Sequence, residues 1–426
     1  MATQDFASVH LLILNLIPMP AIPDPSLAKK KFPKFPKFIR TFLPRKMKRQ
    51  VRELFISSII VNFALATVQI FEPIYLYQMG YPLIRIAFFY LLVYALYFFL
   101  IPLGAKFSNR YGYENGMFWG TVLYVFFYIS LFMIPYFPSL FYVSILIYAL
   151  QKTFYWTGFH ADFAHNSEDS EEAREISSIN VSNSIMFILG PVIGGLIITY
   201  FGFPVLFLIV SILFLVSNIP MLLTKEKFDH RKYKYKQVFE IFKKKNAKSF
   251  SACIGYAEEL IVMVIWPIFM SVIIVNYSKI GALVGIATGI TLFSTLYIGK
   301  ICDARDKRKV LKFGSIIYSL TWLIKIFTKS IVPIFLIDTT SKISKSTINI
   351  PIQALFYEKA KFGKKRNDNS IMENVVNFEA SLIVGKILAC LVIILAITIF
   401  SLQDMGGFIV SFVFASIASL LYMLYK

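Results

Sequence analysis

Twelve stretches of about 20 mostly apolar residues, joined by short polar loops, constrain this chain more than any other feature. A helix of that length crosses the hydrocarbon core of a bilayer with every backbone group paired. On that basis spans 1 to 6 are predicted at residues 53–77, 83–104, 116–135, 139–161, 178–200 and 203–223. Spans 7 to 12 are predicted at 252–275, 281–300, 310–328, 331–355, 372–400 and 405–425. The predicted fold class is therefore an all-α integral membrane protein of twelve transmembrane helices. Composition agrees: 57% of the residues are hydrophobic and only 16% charged, too few charges for a soluble domain of this length. Four regions follow: a basic N-terminal arm (1–52), a first six-helix bundle (53–224), a basic linker (225–250) and a second six-helix bundle (251–426).

The 44 basic and 24 acidic residues leave a net charge of +20, and their placement gives the excess a meaning other than nucleic-acid binding. Lys and Arg crowd the arm, the linker and the loops after span 2 (Lys106, Arg110), span 8 (Arg305, Lys307, Arg308, Lys309) and span 10 (Lys359, Lys361, Lys364, Lys365, Arg366). The alternate loops carry little beyond Arg85, Lys279 and Lys329. The positive-inside rule then puts both termini and the linker in the cytoplasm. "VHLLILNLIPMPAI" is too short and proline-broken for a span, and "KKKFPKFPKF" reads as an arm lying on the anionic cytoplasmic leaflet. The expectation is a monomeric, multi-pass protein of the plasma or inner membrane, with no nucleic-acid partner.

Cys253, Cys302 and Cys390 lie far apart, and none of the four histidines has metal-ligand spacing, so no cofactor or metal is expected. No P-loop or nucleophile elbow occurs, which argues against an ATP-driven pump and against an enzyme.

The two sets of six spans are related by an internal repeat. Pro73 in "IFEPIY" and Pro267 in "VIWPIF" are 194 residues apart. The same offset pairs Asn109 with Asp303, Gly120 with Gly314, Tyr124 with Tyr318, and Asn180 and Asn183 with Asn374 and Asn377. Two six-helix halves in parallel orientation point to a secondary transporter. Over residues 50 to 425 the chain resembles the major facilitator superfamily. The resemblance rests on "GKICDARDKRK" after span 8, its weaker twin "AKFSNRYG" after span 2, and "GPVIGG" in span 5. It implies two pseudo-symmetric six-helix bundles that alternate access to a central cavity. It also implies a conformational latch at Asn109, Arg110, Gly112, Gly299, Asp303 and Arg308. Within "GPVIGG" the residues Gly190, Pro191, Gly194 and Gly195 form a helix-packing motif, similar to part of the family's antiporter signature.

In that family spans 1, 4, 7 and 10 line the cavity, so polar residues at membrane depth in these spans are candidates for substrate binding. Asp338, Lys342, Lys345 and Asn349 share one stripe of span 10, which either faces substrate or bridges to another helix. Gln69 and Glu72 in span 1, Tyr155 and Trp156 in span 4, and Trp266 in span 7 complete the substrate-binding set. Glu72, Glu258 and Glu259 are candidate proton carriers, because a partly dry cavity disfavours the ionised carboxylate. Glu379 and Lys386, seven apart in span 11, read as an intramembrane pair, and His160 as a residue of the cytoplasmic mouth.

The function these readings predict is alternating-access transport of a small organic solute, coupled to protons and with efflux antiport as one form. A uniporter or importer of a sugar, amino acid or organic acid, and a non-transporting sensor on the same fold, are the alternatives.

Overall fold

Each predicted span is helical, and the helices break where the sequence supplies a reason. The computed structural model describes residues 49–166, 172–223, 235, 238–239, 254–304, 306–362 and 371–424. The predicted arm up to residue 48 and nearly all of the predicted linker lie outside the described residues.

Span 1 is split into Arg49–Val68 and Phe71–Gln78. Pro73 explains the gap: it offers no N–H to the Gln69 carbonyl, and its ring crowds that carbonyl. Its repeat partner Pro267 distorts span 7 differently. There the helix widens into a π-turn over Ile261–Ile265 before resuming at Trp266–Ile273. Span 2 (Leu83–Tyr111) and span 3 (Tyr113–Met133) meet at Gly112, whose φ of 110° suits only glycine. Spans 5 and 6 run together as Glu172–Val216 and bend at Gly202, φ 81°. Span 4 is Leu140–Asn166, span 8 Tyr277–Ala304, span 9 Lys307–Lys325, span 10 Ile331–Phe362, span 11 Ile371–Ile399 and span 12 Asp404–Leu420.

Among the described residues eight segments are long and apolar enough to cross a membrane by themselves, one of them covering spans 5 and 6 together. Spans 4, 9 and 10 fall short because they carry polar side chains. Several of these, Lys325, Asp338, Lys342 and Lys345 among them, are buried inside the bundle rather than facing lipid.

Within the first half span 3 packs on span 4 and span 1 on span 5; in the second, span 9 packs on span 10. The halves meet along two seams, span 5 against span 8 and span 2 against span 11. "GPVIGG" sits where spans 1, 5 and 8 converge. A methyl group on Gly194 would lie 2.0 Å from the Thr67 carbonyl oxygen, and one on Gly190 2.5 Å from the Ala66 Cβ. Across the seam, a methyl on Gly195 would lie 2.4 Å from the Tyr277 carbonyl oxygen, and one on Gly281 2.1 Å from that of Pro191. Small residues here let backbones touch, which is how membrane helices gain close packing without a hydrophobic driving force.

Candidate functional site

A cavity of about 110 Å³ lies between the halves. Span 1 contributes Asn62, Gln69 and Glu72, spans 2 and 3 contribute Tyr94, Tyr97, Tyr124 and Tyr128, and span 4 contributes Tyr148, Lys152, Trp156 and His160. The second half supplies Glu259 and Met263 from span 7, with Glu379 and Lys386 from span 11. Lys152 and Lys386 stand near the middle of their helices, which places the cavity at mid-depth.

The three carboxylates are held in different ways. Glu72 is 3% exposed and accepts a 2.8 Å hydrogen bond from the Tyr90 hydroxyl, so its nearest donor is neutral. Glu379 accepts from the Tyr97 hydroxyl at 3.1 Å and lies 3.4 Å from His160 Nε2, both across the seam between the halves. Glu259 pairs with Lys386 at 3.2 Å within the second half. Lys152 lies 4.1 Å from the ring centre of Tyr148 and 5.7 Å from that of Tyr94. Lys386 approaches the same Tyr94 ring at 5.5 Å. Among the described residues no group of three metal-ligating side chains occurs.

The polar stripe of span 10 is placed elsewhere. Its residues share a face, as their spacing requires, but the face is turned into the second half and does not line this cavity. Lys345 contacts Glu258 and the Tyr422 hydroxyl, and Glu258 also accepts from Tyr318 at 3.0 Å and Tyr422 at 2.9 Å. Asp338 takes the indole N–H of Trp266 at 2.9 Å and an ion pair with Lys342 at 2.8 Å. Lys342 also donates to the Val284 carbonyl and Thr288 hydroxyl of span 8, each at 3.2 Å. Asn349 is buried beside them. Buried charges need partners, and neighbouring helices of the same bundle provide them. Trp266 and Glu258 therefore belong to this internal network, away from the cavity. Tyr155 is likewise packed against Gly120, leaving Gln69, Glu72, Trp156 and Glu259 as the predicted residues that the cavity gathers.

Glu379 and Lys386 are not each other's partners, because each reaches a different helix. His160 is 3% exposed and inside the cavity wall rather than at a solvated mouth. Lys152 stands outside the predicted set, although Tyr148, Lys152 and Trp156 fall at i, i+4 and i+8 and so share one helical stripe.

Of the predicted latch, Gly112 makes the turn between spans 2 and 3, with its N–H donating to the Ser108 carbonyl at 3.0 Å. Asn109 is buried, and its Oδ1 has no hydrogen-bond partner among the described residues. Arg110 projects over the Tyr111 ring at 5.2 Å. Gly299 and Asp303 lie in the last turns of span 8, and the Asp303 side chain lies outside the described residues. Arg308 donates its backbone N–H to Asp306 at 2.9 Å, so the carboxylate that caps span 9 is Asp306, which the predicted set omitted.

Comparison with known proteins agrees with this geometry. The family profile described as Major Facilitator Superfamily matches residues 95–364, well over half the chain. No curated protein sequence matches. Among solved structures, a mutant form of the nucleoside transporter NupG superposes with a TM-score of 0.62 at 13% identity, covering 88% of this chain and 100% of its own. That likeness is one of fold. With the matching profile, the twelve helical spans and the cavity between two six-helix halves, the chain belongs to the major facilitator superfamily, as a secondary transporter.

Proposed function

We propose that the chain carries a small polar organic solute through the central cavity by alternating access, with Glu72 as the proton carrier. One observation supports the coupling most directly: Glu72 lies in the cavity wall against a tyrosine hydroxyl. A carboxylate held by a neutral donor loses less on protonation than one committed to an ion pair, as Glu259 is with Lys386. The close packing of spans 1, 5 and 8 accounts for "GPVIGG" without antiport, so the direction of transport is left to the flux measurement.

On the face opposite the termini the halves are tied by Gln78 to the Tyr277 hydroxyl, by the Leu83 N–H to Asp404 at 3.0 Å, and by Ser278 to Thr199 at 2.8 Å. Opening toward that face breaks these contacts. The test is a solute panel in proteoliposomes, comprising organic acids, amino acids, sugars and nucleosides, under an imposed pH gradient. Solute flux accompanied by proton movement is expected. Glu72→Gln should abolish pH-driven accumulation while leaving solute exchange down its own gradient. Accumulation that persists in this variant rules Glu72 out as the carrier.

A further inference from the structure

We infer that the cavity receives an organic anion built on a single small ring, its charged group seated between Lys152 of the first half and Lys386 of the second. The inference rests on reading the cavity as the solute site.

The cavity's carboxylates are already engaged, Glu72 by Tyr90, Glu379 by Tyr97 and His160, and Glu259 by Lys386. Lys152 makes no ion pair within 4 Å with any described residue; its nearest contacts are the faces of Tyr148 and Tyr94, and the carboxylates of Glu72 and Glu379 act on it only from a longer distance. A largely buried ammonium with ring faces in contact and carboxylates only at a distance lacks a direct counter-ion, which a bound anion would supply.

Lys386 reaches the same Tyr94 ring from the other half, at nearly the same distance as Lys152. Two like charges sharing one ring in a low-dielectric cavity repel; Glu259 pairs directly with Lys386, whereas Glu72 and Glu379 offset Lys152 only through space. A carboxylate placed between them satisfies Lys152 and contests Lys386 with Glu259. The tyrosines around the lysines offer flat walls for a ring. The volume of about 110 Å³ is close to that of an engineered cavity of about 150 Å³ that holds benzene. An anion that joins the two lysines also joins the two halves, so its binding favours conformations in which they are close.

The test uses the full chain in nanodiscs with matched single-ring probes, titrated by calorimetry. 4-Hydroxybenzoate, phenylacetate and nicotinate are compared with their amides and with the corresponding amines. At least one carboxylate is expected to bind about tenfold or more tighter than its amide, the difference due to a lost charged hydrogen bond. Lys152→Gln should remove that preference and Lys152→Arg should keep it, which separates lost charge from lost folding. Equal or tighter binding of amides or amines, no saturable binding of any carboxylate, or an unchanged preference in Lys152→Gln overturns the inference. Flux of a neutral solute without carboxylate binding overturns the anion site alone. Carboxylate binding without flux of any solute keeps the site and overturns the transport reading.

Discussion

The two halves share a backbone plan and both send charges to the cavity, but the second also pairs charges inside its own bundle. At the 194-residue offset, Glu258 and Lys345 of the second half correspond to Ala64 and Gln151 of the first. The partners of Trp266 and Asp338 are Glu72 and Ser144. Tyr318 donates to Glu258, whereas its counterpart Tyr124 stacks on Phe214 at 4.3 Å. The second half thus encloses a self-satisfied ionic interior, with Lys325 also boxed by Trp322 at 3.6 Å and Trp266 at 4.4 Å. The first half has an aromatic interior and turns Glu72 and Lys152 toward the cavity. A repeat fixes where helices bend and touch; it leaves each half free to direct its charges inward or toward the shared space.

The sharpest way to break this contrast is Glu258→Ala. It strands Lys345 in an apolar interior and should cost about 3–5 kcal/mol, read as a lowered thermal midpoint and lost folded yield. Adding Lys345→Gln gives the second half the first half's Ala–Gln pair and should restore most of that loss. If the double variant is no better than the single one, the halves are not interchangeable at this layer.

Next in size is Gly194→Ala, whose new methyl meets the Thr67 carbonyl and should cost about 1–3 kcal/mol by overpacking. Thermal unfolding compared with Gly289→Ala, where nothing lies within 4 Å, provides the control. Glu379→Gln weakens a tie between the halves without emptying the site. It should shift the balance of conformations about tenfold, as expected for one charged hydrogen bond and read by cysteine accessibility on either side of the seam. Smallest is Asp306→Ala, which removes the cap of span 9 and should raise hydrogen exchange in its first turn roughly fivefold.

The spans were legible because hydrocarbon thickness and the cost of unpaired backbone leave a sequence few ways to cross a membrane. The repeat was legible because Pro73 and Pro267 disturb helices in ways that other residues do not. The candidate site was less so. The spacing of Asp338, Lys342 and Lys345 fixes that they share a face, but only neighbouring helices decide what the face meets, and here it meets Glu258, Trp266 and span 8. Adjacent Glu258 and Glu259 make the same point, one enclosed in its own bundle and the other in the cavity wall. Lys152 was hidden in an aromatic run whose spacing also suits ordinary packing.

The seam between spans 5 and 8 has a mechanical consequence. At Gly195, Gly281 and Pro191 the halves bear on each other largely backbone to backbone, with only small side chains such as Ser278 and Val192 between them. A line of contact of this kind behaves as a smooth bearing. Turning about it disturbs few large side chains, so most of the resistance to the motion falls on the polar ties at the rims and on Glu379.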